Sequence, residues 1–105
     1  MEKRLIVTIC TLAVATLPPA VFAKENKGEA LFKQHCAVCH PDGGNIVNPQ
    51  FTLHKKDRDA HGVKTAKDII GKMRKPGPGM TMFDEKTISN KDAKEIAEYV
   101  LKTFK

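Results

Sequence analysis

The sequence predicts a small all-α domain. Apolar residues recur at spacings of three and four in three separate stretches, the period of a helix face. No pair of alternating runs flanks a two-residue turn, so no β-hairpin is expected. The chain has 105 residues, enough for one domain but too few for a doubly wound α/β sheet or an α/β barrel. Charged residues at 29% and a mean hydropathy of −0.35 fit a soluble folded chain, not a disordered or multi-spanning one. Aromatics make up only 6%, with no Trp. So small a core calls for a disulfide, a metal or a large prosthetic group to complete it.

Residues 1–23 read as an address, not as part of the fold. Lys3 and Arg4 form a basic start, residues 5–17 are almost wholly apolar, and Val21-Phe22-Ala23 suits a signal peptidase. The apolar run is short for a membrane span and Pro18-Pro19 interrupts it. A secretory signal peptide cleaved after Ala23 is expected, with Cys10 leaving in it. The mature domain is then 24–105, with 16 basic and 11 acidic residues and a net charge of +5. Its location would be periplasmic or otherwise exported.

The first helix is expected over residues 27–35, with Ala30, Leu31 and Phe32 as its apolar part. Gly28 costs such a helix about 1 kcal/mol against Ala. A glycine four residues before Phe32 on the same face suggests that another helix packs closely there.

The helix leads into Cys36-Ala37-Val38-Cys39-His40, a C-x-x-C-H motif. This is the attachment pattern of a c-type haem. Two thiols at that spacing reach the two vinyl groups on one porphyrin edge, and the histidine that follows turns its imidazole to the iron. A thioredoxin-like redox pair would need a βαβ setting, which the chain lacks. A structural zinc would need further paired ligands, and the mature chain has no other cysteine. A plain disulfide leaves His40 without a role. One covalent haem, bound through Cys36 and Cys39 with His40 on the iron, is the expectation.

Residues 41–64 form a long connection without strong periodicity. Such a length counts against a compact domain unless the loop packs on a haem. A short helix is expected around residues 53–60. The second main helix runs over 66–74: Thr65 is its N-cap, Asp68 sits at the capping-box position, and Ile69, Ile70 and Met73 form the buried stripe. The third runs over 91–104, capped by Ser89 or Asn90, with Asp92 in the first turn. Ala93, Ile96, Ala97, Val100, Leu101 and Phe104 make its apolar face, and Tyr99 flanks it, placed to lie over Gly28.

A sixth iron ligand could come from His54, His61, Met73, Met80 or Met82, or from His35 upstream. Met80 follows Pro76-Gly77-Pro78-Gly79, which cannot be helical and can hold a rigid loop close to a haem face. Its thioether is a soft donor, and Met/His ligation gives a higher potential than bis-His ligation. Met82 is held in reserve, Met73 fits a helix core, and His54 and His61 lie in a basic, solvated segment. Met80 is therefore taken as the ligand.

These residues together resemble the class I monohaem cytochromes c, especially the small soluble type that substitutes for plastocyanin, and its bacterial relatives. Gly28 and Phe32 match the family's glycine and aromatic on the first helix, and Cys36, Cys39 and His40 its haem motif. Gly43-Gly44-Asn45 with Val47 and Pro49 resembles the loop that follows. Met80-Thr81-Met82-Phe83 aligns with the family's Met-Pro-Ala-Phe, with Thr81 in place of Pro. Ile96-Ala97-Glu98-Tyr99-Val100 matches the C-terminal helix. The resemblance implies a small cytochrome c fold, with three main helices and loops wrapped around one covalent haem.

It also implies a one-electron carrier, not an enzyme, shuttling between redox partners. The chain is basic, with Lys33, Lys55, Lys56, Arg58, Lys64, Lys72, Arg74 and Lys75 as candidate contacts for acidic docking surfaces. The lysines lack interleaved aromatics, so nucleic acid is not an expected partner. No stable membrane insertion is expected after signal cleavage. Two other classes remain at this stage: a haem enzyme or sensor with an open sixth site, and a bis-His cytochrome of lower potential.

Overall fold

The computed structural model describes residues 26–105. The expected signal peptide, its cleavage site and Cys10 lie outside the described residues. Helix α1 spans Lys27–His35, a single 3-10 turn spans Pro41–Gly43, and α2, α3 and α4 span Lys55–Ala60, Ala66–Arg74 and Asn90–Thr103. The described residues contain no strand.

Helices α1, α3 and α4 start where side chains can satisfy the free N–H groups of a first turn, whereas α2 has no side-chain cap. The Asn26 side chain accepts from the Gly28 N–H, and that of Ser89 from the Asp92 N–H. Thr65 and Asp68 form the reciprocal capping box at the start of α3. Helix α4 begins one residue before the expected start, at Asn90.

Helix α4 is the hub, packing against α1 and α3. Its stripe of Ala93, Ile96, Ala97 and Val100 is buried together with Phe32, Ile69, Met73, Ile88 and Phe104. At the α1–α4 crossing, a Cβ on Gly28 would stand 2.2 Å from the Glu95 carbonyl oxygen and 2.9 Å from the Tyr99 Cβ. The close approach expected at Gly28, and Tyr99 lying over it, are both present. The Phe32 ring then meets Tyr99 and Phe104 at centroid distances of 5.3 and 5.4 Å.

The 3-10 turn is not foreshadowed by any period in the sequence. It depends on left-handed backbone at Asp42 (φ 53°) and Gly43 (φ 78°). A Cβ on Gly43 would stand 2.4 Å from the Phe104 ring. The turn therefore seats the end of the chain, and the Leu53 N–H donates back to the Gly43 carbonyl at 2.7 Å.

Arg58 corrects the sequence reading. Expected on a docking surface, it is only 5% exposed. Its Nε donates to the Leu53 carbonyl (2.7 Å) and its Nη2 to the Phe104 carbonyl (2.8 Å). Arg74 is likewise half-buried, donating through Nη1 to the Phe83 carbonyl and through Nη2 to Asn90 Oδ1, both at 2.9 Å.

Candidate functional site

The site grows out of the end of α1. The Cys36 and Ala37 N–H groups both donate to the Phe32 carbonyl, at 2.8 and 2.9 Å, and those of Cys39 and His40 to the Cys36 carbonyl, at 3.1 and 2.9 Å. One tight turn thus carries both thiols and the imidazole. The Ile46 N–H donates to the Cys39 carbonyl at 3.0 Å, tying the next loop to the same turn.

His40 is buried, at 9% exposure, and its Nδ1 stands 2.6 Å from the Gly44 carbonyl oxygen. A carbonyl only accepts, so Nδ1 carries the proton and Nε2 keeps its lone pair. That tautomer is the one a metal-ligating histidine needs, and the carbonyl also fixes the ring. Cys36 and Cys39 are free thiols. Burial pushes the Cys36 thiol up to about 11 from 9.0.

Cys36, Cys39 and His40 form part of the wall of a cavity of about 430 Å³. That size lies within the range of cofactor pockets. Ile69 and Met73 from α3, and Ile96 and Val100 from α4, add apolar wall. The loop of Gly77, Pro78 and Gly79 closes another side and brings Met80 with it. Gly79 has φ +87°, and a Cβ there would stand 2.8 Å from Val47 Cγ1, so only glycine lets the loop lie so close. Beyond Met80, the Phe83 N–H donates to the Met73 carbonyl at 2.8 Å, which with Arg74 pins the loop to α3.

A flat apolar macrocycle suits these walls: two thiols stand together where its edge could be bonded, and an imidazole Nε2 and a thioether are the kinds of donor that suit its iron. Among the other candidate ligands, Met82 is 62% exposed, and neither it nor His54 lines the cavity. Met73 is buried at 3% in the core as well as touching the cavity. His61 lines it too, but its ring stacks on Phe51 (centroids 3.9 Å, 17°) and its Nε2 lies 3.2 Å from the Gln50 carbonyl. His35 lines the cavity with its ring edge-on to Phe83 at 5.9 Å. Sequence reasoning missed Arg58 as a wall residue. The one signal was that α2 contains no apolar residue except Ala60.

Residues 23–100 match the family described as cytochrome C oxidase, cbb3-type, subunit III. The chain is 35% identical over 89 residues to cytochrome c6 of Rippkaea orientalis, covering 85% of this chain and 79% of that protein. It is 31% identical over 105 residues to cytochrome c6 of Thermosynechococcus vestitus, covering 96% and 92%. Among solved structures it resembles OmcF, an outer-membrane cytochrome of Geobacter sulfurreducens, with a TM-score of 0.73 and 47% identity over 74% of this chain and 99% of that one. It also resembles cytochrome c6 of the diatom Phaeodactylum tricornutum, with a TM-score of 0.67 and 33% identity over 72% and 88%.

Proposed function

Because the chain belongs to the class I monohaem cytochromes c and is akin to the cytochromes c6, we propose that it is an exported one-electron shuttle whose iron is held by His40 and Met80. Membership of this family makes it an electron carrier, not an enzyme, with one covalently attached haem c. The haem supplies the Fe(III)/Fe(II) couple. The protein sets its potential, its access and its partners.

The observation that carries the ligand assignment is the shared cavity. Met80 reaches it on a glycine- and proline-stiffened loop tied down at Phe83, and His40 reaches it with Nε2 unprotonated. His61, the alternative nitrogen donor, is engaged with Phe51 and Gln50. The Gly44 carbonyl on His40 Nδ1 fixes the ring's orientation and leaves Nε2 as the nitrogen that faces the iron. With both ligands on anchored segments, little has to move when an electron arrives. Apolar walls exclude water from the iron.

Cys36 and Cys39 carry the thioether links. Residues 1–23 act as the export signal, with delivery to a periplasm or a thylakoid lumen. No described helix is long and apolar enough to cross a membrane. Partners are redox proteins with acidic docking surfaces, met by exposed Lys55, Lys56, Lys64, Lys72 and Lys75.

Met80→Ala tests the reading. The oxidised variant should lose the red-edge absorption band that a sulfur–Fe(III) bond produces, and its midpoint potential should fall. An unchanged oxidised spectrum would overturn Met80 as the ligand.

A further inference from the structure

A glycine inside a helix usually has a packing reason. Gly28 has one, since a Cβ there would stand 2.2 Å from the Glu95 carbonyl oxygen. Gly71, the sixth residue of α3, has none: a Cβ there would meet nothing within 4 Å. Nor does its backbone require glycine, because it is not among the left-handed positions. Glycine is among the least favourable residues in a helix interior. The chain therefore gives up helix stability at Gly71 without gaining a close contact.

What the missing side chain leaves is space. Gly71 lines a groove of about 320 Å³. Lys67 and Lys75 flank it one turn before and one turn after, on the same stripe of α3. Lys72 lines the groove as well, and His61, Gly62 and Val63 form the rest of its wall, with Gly62 in left-handed backbone (φ 72°). The three lysines are exposed, and none is in an ion pair among the described residues. By contrast, Lys27, Lys55 and Lys94 are matched by Asp92, Asp59 and Glu98. The one carboxylate in the groove, Asp68, is taken up by the Lys64 and Thr65 N–H groups, and Lys67 acts on it only through space. His61, Val63 and Lys72 also line the haem cavity, so groove and cavity share a wall.

We propose that this groove is where an acidic redox partner engages. A Glu or Asp side chain on a protruding segment of the partner seats over Gly71, with its carboxylate among Lys67, Lys72 and Lys75. The inference rests on the acidic-partner reading and narrows it from a basic surface to one groove. A carboxylate fits because three cations surround a position that has no side chain of its own, and a groove takes a projecting side chain better than a flat lipid surface. Glycine keeps the seat open, since any larger residue at 71 would fill it. Lysine ammonium groups are mobile, well-hydrated point charges, which suits a contact that must form and release at each turnover. The shared wall means that the contact recognising the partner also holds it against the haem cavity.

The test titrates the ¹⁵N-labelled ferrous holoprotein, its covalent haem confirmed by mass, with hexaglutamate at low salt. Amide shifts should be largest at Lys67, Gly71, Lys72 and Lys75. Gly71→Gln fills the groove without changing the charge and should weaken binding by about tenfold. Lys67→Gln should weaken it by about threefold, within the worth of an exposed ion pair, whereas Lys94→Gln, which removes the same charge from α4, should stay within about 1.5-fold of wild type. Gln is the better helix former, so the Gly71 variant should fold. Should it not accumulate, Gly71→Glu, which carries its own carboxylate into the seat, should abolish binding. Wild-type affinity in either Gly71 variant, or shifts centred on α2, overturns the groove while leaving an acidic partner in place. Absence of hexaglutamate binding anywhere on the protein defeats the acidic-partner reading itself. Inorganic phosphate that gives the same shifts at the same concentration, or phosphatidylglycerol vesicles that displace the peptide at lower concentration than it binds, would make this a small-anion or a membrane site and overturn the proposal.

Discussion

Single atoms decide two features of this molecule. The hydrogen bond from His40 Nδ1 to the Gly44 carbonyl sets which nitrogen can bind a metal. The missing side chain of Gly28 sets how close α1 and α4 can come, since a Cβ there would collide with the Glu95 carbonyl. Backbone cannot give way as a flexible side chain does. Gly28→Ala should therefore destabilise the holoprotein by at least 1–3 kcal/mol, roughly the usual overpacking cost, even though alanine is the better helix former. Chemical denaturation of the two proteins would check this, and an unchanged midpoint would mean that the helices simply slide apart. The role of Gly28 was legible in the sequence because a glycine facing a helix interior has few other uses. The role of Arg58 was not. Its residue type, in a run of charged neighbours, argues for the surface, and only the return of the chain end at Phe104 takes it inside.

At the scale of elements, the start of α3 is the most sharply specified. Thr65 accepts from the Asp68 N–H while Asp68 accepts from the Lys64 and Thr65 N–H groups. Thr65→Ala should cost about 1 kcal/mol, the usual worth of such a cap. The same hydrogen bonds hold the Asp68 carboxyl below its ordinary value of 3.8, with the Lys64 N–H as the main cause. A group whose folded pKa is depressed stabilises the fold above the unfolded pKa and loses that contribution as pH falls through the folded one. Stability should thus decline below the ordinary carboxyl range, and Asp68→Asn should flatten that decline in a series of thermal melts against pH. Wild-type and variant melts that stay parallel down to the lowest pH would remove Asp68 from the account. The main helices were legible because each has a period of three or four and a polar cap. The 3-10 turn was not, because Asp42 and Gly43 take left-handed backbone to fit around Phe104, which lies more than sixty residues further along the chain.

The whole molecule is a hub helix with others arranged around a cofactor-sized space, so its core is complete only with the haem in place. Helix α2 illustrates this: it has no apolar side chain beyond Ala60 and is held by Arg58 at the cavity wall. A double Cys36→Ala, Cys39→Ala chain, denied its covalent links, should lose its cooperative thermal transition and be digested readily by proteases, whereas the holoprotein resists. Charge acts at the same scale but outward. The exposed lysines of α2, α3 and the loops give the domain its positive surface, while Arg58 and Arg74 spend their charge inside. Haem carboxylates reduce the net charge by about two if ionised, which leaves it positive. Association with an acidic redox protein should then be steered, and screening should remove the steering as the Debye length shrinks from about 30 Å at 0.01 M salt to about 10 Å at 0.1 M. The second-order electron-transfer rate with such a partner should fall by about tenfold or more over that range. The rate with a basic partner should rise instead, because the same screening relieves repulsion. Stopped-flow traces with both partners separate docking chemistry from mere solubility: lysines that only keep the protein in solution would leave the two rates with the same, shallow salt dependence.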